Sequence, residues 1–377
     1  MNTTKRAIIA FYCGLLGIGI ILFIILWINH SYRYTPIKVM DNVAAVSAMT
    51  HHSAALKTDG SLWAWGNNSN TRLGDGTNTH RLTPRRIIND VAAISIGENH
   101  TMVIKTDGSL WGWGLNGNGQ LGDGTRTHRS KPVRIIDNVT AVSVGNGHTM
   151  AIRTDGSLWG WGRNSQGRLG DGTIANRRSP VKIMEDVAAV SSGIRHTMAI
   201  RIDGSLWAWG WNKYGQLGDG TDINQHSPIK IMEDVTAVFA GIDYTMAIKT
   251  DNSLWAWGIN DKGQLGDGTT TDHHTPIEIM IEVASVSFGD GYTMALKTDG
   301  SLWAWGINDK GQLGDGTSTN RLTPVRIMED VALVSTGVNH TMVVRTDGSL
   351  WTWGWNDYGK LGKGNRLRIR LPGKNYL

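Results

Sequence analysis

Histidine is the residue type whose spacing in this sequence most suggests chemistry. Five histidines recur in register, and tyrosine takes the same place in two further copies of a repeat: His52, His100, His148, His196, Tyr244, Tyr292 and His340. Imidazole binds metals and exchanges protons near neutral pH, so a metal site or acid–base catalysis is one interpretation. Tyrosine replaces histidine with no other adjustment, however, and equivalent positions of units arranged in a ring lie too far apart to share one ion. We therefore expect hydrogen-bonded structural residues that hold the turn after Gly97 and its equivalents, namely His100, His148, His196 and His340.

The repeated LGDGT motif, for instance at residues 121–125, is the second candidate for chemistry. An aspartate beside glycine superficially resembles a calcium or phosphate loop. The motif lacks the alternating oxygen ligands of a calcium loop and the lysine of a P-loop, so turn formation is the better interpretation. We find no nucleophile elbow, zinc motif or carboxylate pair. The sequence predicts no catalytic residue, no metal and no cofactor, hence not an enzyme.

The elements that carry these residues are set by a strict 48-residue period. The segment TDGSLWAWG begins at residue 58, and close copies begin at residues 106, 154, 202, 250, 298 and 346. Each period contains four strand-like pieces, in the second copy residues 91–97, 100–105, 109–114 and 132–136. The Asp107-Gly108 pair between the second and third pieces favours a two-residue hairpin turn. Four strands per ~50 residues predict an all-β, seven-bladed β-propeller.

A tryptophan pair occurs in each third strand, and the chain has 17 Trp but only 4 Phe. The two tryptophans lie two positions apart and so face the same side of a blade. An aromatic cage for a ligand is the alternative, but identical pairs in every copy are what packing between blades requires. We expect a structural role for these residues, exemplified by Trp63, Trp65, Trp111 and Trp113.

The two ends of the repeat region predict how the ring closes. The last copy departs from the pattern after Leu361, before a complete fourth strand, whereas residues 34–40 read as that strand. Donation of this N-terminal strand to the last blade would remove the exposed edges. Pro372 keeps the register of the repeat, so the C-terminal tail is a competitor for the same place.

The N-terminal segment predicts a membrane anchor. Residues 7–28 form an uncharged run of 22 residues, including the single cysteine, Cys13. As a helix this run would extend ~33 Å and match a bilayer core of ~30 Å. A cleavable signal peptide is the competing interpretation, but no small-residue cleavage site follows. Lys5 and Arg6 precede the run, which favours a cytoplasmic N-terminus with the propeller outside the cytoplasm. The domains are a tail (1–6), a transmembrane helix (7–28), a linker (29–34), the propeller (35–372) and a C-terminal tail (373–377).

The loops after each WxWG carry most of the variation between copies. With alternating strand directions, these loops and those between first and second strands open on one face. The formal charge of the sixteen positions after WxWG sums to +9 in copies seven, one, two and three, and to −3 in copies four to six. Arginine beside aromatic residues is typical of interaction hot spots. The candidate partner-binding residues are Trp211, Tyr214, Trp355, Tyr358, Arg163, Arg168, Arg177, Arg178, Arg366 and Arg368.

The pattern G-x-x-H-T-M-A, D-G-S-L-W-x-W-G and G-Q-L-G-D-G-T resembles the repeat of the regulator of chromosome condensation family over residues 35–372. That resemblance implies a seven-bladed propeller. The founding member is a nuclear guanine-nucleotide exchange factor that also contacts chromatin, and bacterial relatives resemble secreted or surface binding proteins. This chain differs by its membrane segment, its short loops and its lack of a basic chromatin-binding tail.

The net charge of +5 is mild and scattered, so no specific nucleic acid partner is expected. The sequence therefore favours a membrane-tethered binding or scaffold module outside the cytoplasm, whose partner is another protein or an anionic envelope polymer. A guanine-nucleotide exchange factor for a small GTPase is the alternative. Near-identical repeats and a simple anchor point to a bacterial source.

Overall fold

The computed structural model describes residues 37–48, 52–356 and 359–362. Within these ranges the chain forms seven antiparallel sheets of four strands each. Two short 3-10 turns, Ser69–Thr71 and Ser165–Gly167, lie in loops. The predicted all-β, seven-bladed propeller is confirmed.

The first three blades follow β1 (Ile37–Lys38) in chain order. Blade 1 contains β2 (Val43–Ala48), β3 (His52–Lys57), β4 (Leu62–Gly66) and β5 (Arg81–Ile88). Blade 2 contains β6 (Val91–Ile96), β7 (His100–Lys105), β8 (Leu110–Gly114) and β9 (Arg129–Ile136). Blade 3 contains β10 (Val139–Val144), β11 (His148–Arg153), β12 (Leu158–Gly162) and β13 (Arg177–Met184).

The remaining blades repeat this order. Blade 4 contains β14 (Val187–Ser192), β15 (His196–Arg201), β16 (Leu206–Gly210) and β17 (Gln225–Met232). Blade 5 contains β18 (Val235–Ala240), β19 (Tyr244–Lys249), β20 (Leu254–Gly258) and β21 (His273–Met280). Blade 6 contains β22 (Val283–Phe288), β23 (Tyr292–Lys297), β24 (Leu302–Gly306) and β25 (Arg321–Met328). Blade 7 contains β26 (Val331–Thr336), β27 (His340–Arg345) and β28 (Leu350–Gly354).

The last blade takes its fourth strand from the beginning of the propeller. β1 pairs with β28 in antiparallel register, with Ile37 opposite Thr352. The Val39 amide donates to the Leu350 carbonyl at 3.1 Å. Val39 also packs into the core cluster that contains Trp65 of blade 1. The start of the ring is thus joined to its end by both backbone and side chains, while residues 363–377, including Pro372, lie outside the described residues.

The second tryptophan of each pair forms the core between blades. Trp113 is buried against Leu56, Leu62 and Leu73 of the preceding blade. Its indole nitrogen donates to the Arg72 carbonyl at 3.0 Å. The closing junction uses the same contact, since Trp65 donates to the Lys360 carbonyl at 2.8 Å. Every junction therefore has one buried indole and one satisfied N–H group.

The first tryptophan of the pair lies at the margin of this core. Trp111 packs against the same cluster as Trp113 but is only partly buried. Its indole nitrogen donates to Ser109 Oγ at 2.8 Å, and Lys105 Nζ lies 5.6 Å from the ring centre. Both tryptophans thus contact the blade interface, but only the second is enclosed by it.

The hairpin between the second and third strands differs from the predicted two-residue turn. The Gly60 amide donates to the Lys57 carbonyl, and the Lys57 amide donates to the Ser61 carbonyl. Three residues, 58–60, therefore form the loop, and the left-handed conformation falls on Gly60 alone, with a φ of 76°. The Asp59 carboxylate accepts the Ser61 amide and fixes this turn.

The predicted transmembrane helix, residues 7–28, lies outside the described residues, as do the tail and linker that flank it. Among the residues that the structure does describe, no helix is long and apolar enough to cross a bilayer.

Candidate functional site: the loop face

Two sets of loops meet on one face, which we call the loop face. In blades 2 to 7 the loop after the third strand is hydrogen-bonded to the loop between the first and second strands; in blade 4, for example, the Trp211 amide donates to the Arg195 carbonyl at 3.0 Å. The hairpins between second and third strands meet the connections between blades on the opposite face. There the Thr106 amide donates to the Asp90 carbonyl at 2.8 Å. We call this side the hairpin face.

The structural histidines form hydrogen bonds between neighbouring blades, and we call these contacts latches. His100 Nε2 shares a 3.0 Å hydrogen bond with Thr149 Oγ1 of the next blade. Thr149 donates its only hydroxyl proton to the Gln120 carbonyl at 2.8 Å. The histidine must therefore donate from Nε2, which fixes a neutral tautomer. The same arrangement holds at His196, whose partner is Thr245.

These latches extend the sequence interpretation, which assigned the histidines to their own turn. The ring also lies against Gly97, but its hydrogen bond reaches the neighbouring blade. In blades 5 and 6 the tyrosines make equivalent contacts, and Tyr244 donates to the Tyr292 carbonyl at 3.0 Å. A longer side chain with one donor can thus replace histidine. Burial lowers the pKa of both His100 and His196 to about 3.

The LGDGT motif shapes the loop, as the sequence predicted. Asp123 Oδ1 accepts the Thr125 amide at 3.0 Å and the Asn116 side chain at 2.9 Å. Its second oxygen pairs with Arg129 at the start of the fourth strand. Gly122 has a φ of 80°, and a Cβ there would lie 2.7 Å from the Trp161 indole. The motif therefore fixes the loop and admits the tryptophan of the next blade.

Arg168 corrects one of the partner-binding expectations. Its side chain is buried, with 1% of the residue exposed. The guanidinium donates to the Ile194 carbonyl at 2.8 Å and to the Ser165 carbonyl at 3.0 Å. Burial lowers its pKa to about 10, with Arg163 and Arg195 adding to the effect. Arg168 joins loops inside the propeller and presents no surface to a partner.

Three other arginines of blade 3 were predicted to bind a partner, and one of them, Arg177, forms an ion pair within the propeller. Arg177 Nε lies 2.7 Å from Asp171 Oδ2, the same ion pair that Arg129 makes in blade 2. Arg163 and Arg178 are exposed. These two arginines are therefore the available cations of this blade on the loop face.

The structure brings together Trp211 and Tyr214, two of the candidate partner-binding residues, in the loop of blade 4. Their rings meet edge to face at 5.6 Å. The guanidinium of Arg195, a residue that sequence reasoning missed, lies 4.3 Å from the Trp211 ring centre. Stacking of this kind holds both side chains in place before any partner arrives.

Arg195 also contacts Asp243 of the next blade at 3.4 Å. Asp243 is 8% exposed, and its Oδ1 has no hydrogen-bond partner within the described ranges. Burial raises the pKa of Asp243 to about 6, opposed by Arg195 and assisted by Asp290. The departure of Arg195 and Asp243 from the repeat was the signal that could have identified them.

The candidates in copy seven are only partly described. Trp355 has Lys360 Nζ 5.3 Å from its ring centre. Tyr358, Arg366 and Arg368 lie outside the described residues. Within the described part of the chain, no group of three or more His, Cys, Asp or Glu side chains could hold a metal ion.

The fold is a closed seven-bladed β-propeller, in which the blades repeat and the loop face varies. The sequence matches the RCC1-like domain family over residues 19–241 and, in an overlapping match, residues 135–374. The chain belongs to this family, which confirms the resemblance drawn from its repeats.

Solved structures share the fold at low sequence identity. Human WBSCR16 has 22% identity and a TM-score of 0.74, covering 84% of this chain and 94% of that one. Yeast RCC1 (Prp20) bound to Kap60 has 19% identity and a TM-score of 0.73, covering 89% and 85%. Prp20p of Saccharomyces cerevisiae, described with its binding properties to Gsp1p and histones, has 19% identity and a TM-score of 0.75, covering 88% and 86%. A comparison with curated proteins found no match.

Proposed function

We propose that this protein is a membrane-tethered recognition module whose loop face binds an acidic protein outside the cytoplasm. The observation that carries the proposal is where the blades differ. The hairpin face repeats TDGS almost unchanged, whereas the loop face holds the Arg195–Trp211–Tyr214 stack and the exposed Arg163 and Arg178. Packing between blades explains the residues that repeat. It does not explain the residues that vary on the loop face, which we therefore assign to recognition.

A protein fits this face better than an anionic polymer. Ile174 and Ile223, in the loops of blades 3 and 4, are each 62% exposed. Exposed apolar side chains on the same face as an aromatic–arginine stack are typical of the composition of protein interfaces. Structural relatives support this kind of partner, since yeast RCC1 (Prp20) is bound to Kap60 and Prp20p is described with binding properties to Gsp1p and histones.

Site-specific photocrosslinking in intact cells tests the proposal. A benzoylphenylalanine at Lys213 or Thr127, both exposed on the loop face, should yield a discrete adduct with an acidic protein. The same probe at Thr106 or Thr154 is the matched control, because both are exposed on the hairpin face. Adducts with a polysaccharide, or equal protein adducts from both faces, would contradict the proposal.

The tether is supported by the uncharged run at residues 7–28 and the preceding Lys5 and Arg6. A Ser69→Cys, Cys13→Ala variant should react with a membrane-impermeant maleimide in intact cells, because Ser69 is exposed. Labelling only after lysis would place the propeller in the cytoplasm. It would also make nucleotide exchange on a small GTPase, the activity implied by the founding family member, the first activity to assay.

A further inference from the structure

The repeat supplies an internal comparison, because each blade shows what packing alone requires at a given position. In blades 1–4, 6 and 7 the penultimate residue of the first strand is a serine. Blade 5 has Phe239 in place of this serine, and blade 6 has Phe288 one position later. The loop between the first and second strands also varies. Blades 4, 5 and 7 have Ile194, Ile242 and Val338 at the position where blades 2 and 3 have Glu98 and Asn146.

One of these replacements removes a repeated stabilising contact. The serine hydroxyl accepts an amide of the next blade, as Ser191 does from Ala240 at 2.9 Å and Ser287 does from Thr336 at 2.9 Å. Phenylalanine cannot accept this bond, which is ordinarily worth about 1 kcal/mol. Phe239 therefore cannot make this contact at the junction between blades 5 and 6.

The replaced residues surround a cavity at the mouth of the central channel. Its volume is about 250 Å³. Pockets for drug-sized ligands are usually ~300–1,000 Å³, so this cavity suits one side chain better than a cofactor or substrate. Its apolar wall is formed by Ile194, Phe239, Ile242, Phe288 and Val338.

The wall is held in place before any ligand binds. The Phe288 ring lies 6.3 Å from Phe239, edge to face, and 4.8 Å from Tyr244. The loops are joined across blades, since the Ile194 amide donates to the Gly241 carbonyl at 3.3 Å. A preformed site reduces the ordering cost of binding.

One carboxylate lines this cavity, and a second follows one of the lining residues in the chain. The Asp290 side chain lines the cavity, is 46% exposed and lies 3.7 Å from Lys262 Nζ, beyond ordinary hydrogen-bond length. Asp243 follows Ile242, and its buried Oδ1 has no partner within the described ranges. Its other oxygen has only the 3.4 Å contact with Arg195, which is already stacked on Trp211. Each carboxylate thus has one cationic partner at long distance and can accept a further charge-assisted hydrogen bond.

We propose that the channel mouth is a socket for one long cationic side chain, arginine or lysine, of the protein partner. The methylene stem packs on Phe239 and Phe288, and the charged head reaches the Asp290 carboxylate, which lines the cavity. The formal charge of −3 in the loops of copies four to six adds attraction, opposite to the basic sector over the rest of the face. This inference rests on the proposed function, because it names one residue of that partner.

Methyl NMR of the full chain in detergent tests the socket without the partner. The isoleucine δ-methyl signals of Ile194 and Ile242, identified by Ile→Val variants, should shift on titration with N-acetyl-arginine methylamide. The uncharged N-acetyl-norleucine methylamide should bind about tenfold more weakly, because it lacks the charge-assisted hydrogen bond. Unmoved signals, or equal affinity for the two probes, would overturn the socket.

A matched pair of variants locates the charge. Asp290→Asn should weaken the arginine probe about tenfold. Asp261→Asn removes the same charge from an exposed position on the same face and should change affinity less than about twofold. Equal effects of the two variants would count against the socket. If the loop face gives crosslinks but the Ile194 and Ile242 methyl signals do not shift, the socket is wrong and the protein partner stands. If the methyl signals shift but no crosslinks form, the protein partner is wrong and the socket stands.

Discussion

At the scale of single residues, the latching histidines should control stability at low pH. Burial holds the pKa of His100 and His196 near 3 and that of His148 well below its ordinary value. In the unfolded chain the pKa of histidine is about 6.5. A lowered folded-state pKa means that the unfolded state takes up protons first, so this stabilisation is present above pH 6.5 and is lost as the pH falls.

The prediction concerns His196→Tyr, which installs the residue that blades 5 and 6 use. Between pH 7 and pH 5, protonation of residue 196 in the unfolded chain lowers the free energy of unfolding by about 2 kcal/mol, because His196 stays neutral when folded. The variant should therefore be less destabilised than wild type between pH 7 and 5, by about that amount, in denaturant unfolding. Asp243 has a raised pKa and therefore changes the stability in the opposite direction as the pH falls. Because Asp243 is present in both proteins, its contribution cancels when the variant is compared with wild type. Exposed His226→Gln is the control, and equal pH slopes for wild type and His196→Tyr would contradict the account.

Residue roles were predictable from the sequence where the repeat exposes them. Tryptophan and histidine recur in register, so a packing role followed from repetition. The burial of Arg168 did not, because its acceptors are carbonyls of loops 3 to 26 residues away. Position in a polar loop gives no sign of such contacts. The Arg195–Asp243 contact was missed because it joins two blades.

At the scale of elements, β1 carries the closure of the ring. A chain lacking residues 1–34 keeps β1 and should unfold in one cooperative transition. A chain lacking residues 1–40 loses β1 together with Val39, which packs beside Trp65. The open β28 edge should then lower the Tm by about 10 °C or more and promote association. Thermal scans and size-exclusion chromatography make the comparison, and equal Tm values would refute the importance of β1.

Strand positions were predictable because the 48-residue period shows each strand seven times. The turn type was not, because Asp-Gly occurs in both two-residue and three-residue hairpins. The added residue, Thr58 in blade 1, is recognisable only from the hydrogen bond between the Lys57 amide and the Ser61 carbonyl.

At the scale of the whole molecule, the structure reduces the set of cations available to a partner. The +9 sector of the sequence includes buried Arg72 and Arg168, and Arg81, Arg129 and Arg177 are paired with aspartates of the LGDGT loops. Arg126, Arg163 and Arg178 remain exposed on the loop face. Charge summed along a sequence cannot separate these groups, because pairing depends on the folded loop.

Recognition through the loop face is tested most directly by the affinity of the crosslinked partner for charge-reversal variants. The Arg163→Glu, Arg178→Glu double variant should weaken binding roughly tenfold or more at low salt, mainly through slower association. Arg86→Glu, Arg134→Glu is the control, since both arginines are exposed towards the hairpin face. Loss of affinity in the first variant alone is the predicted result. Equal affinities in both variants would contradict recognition through the loop face.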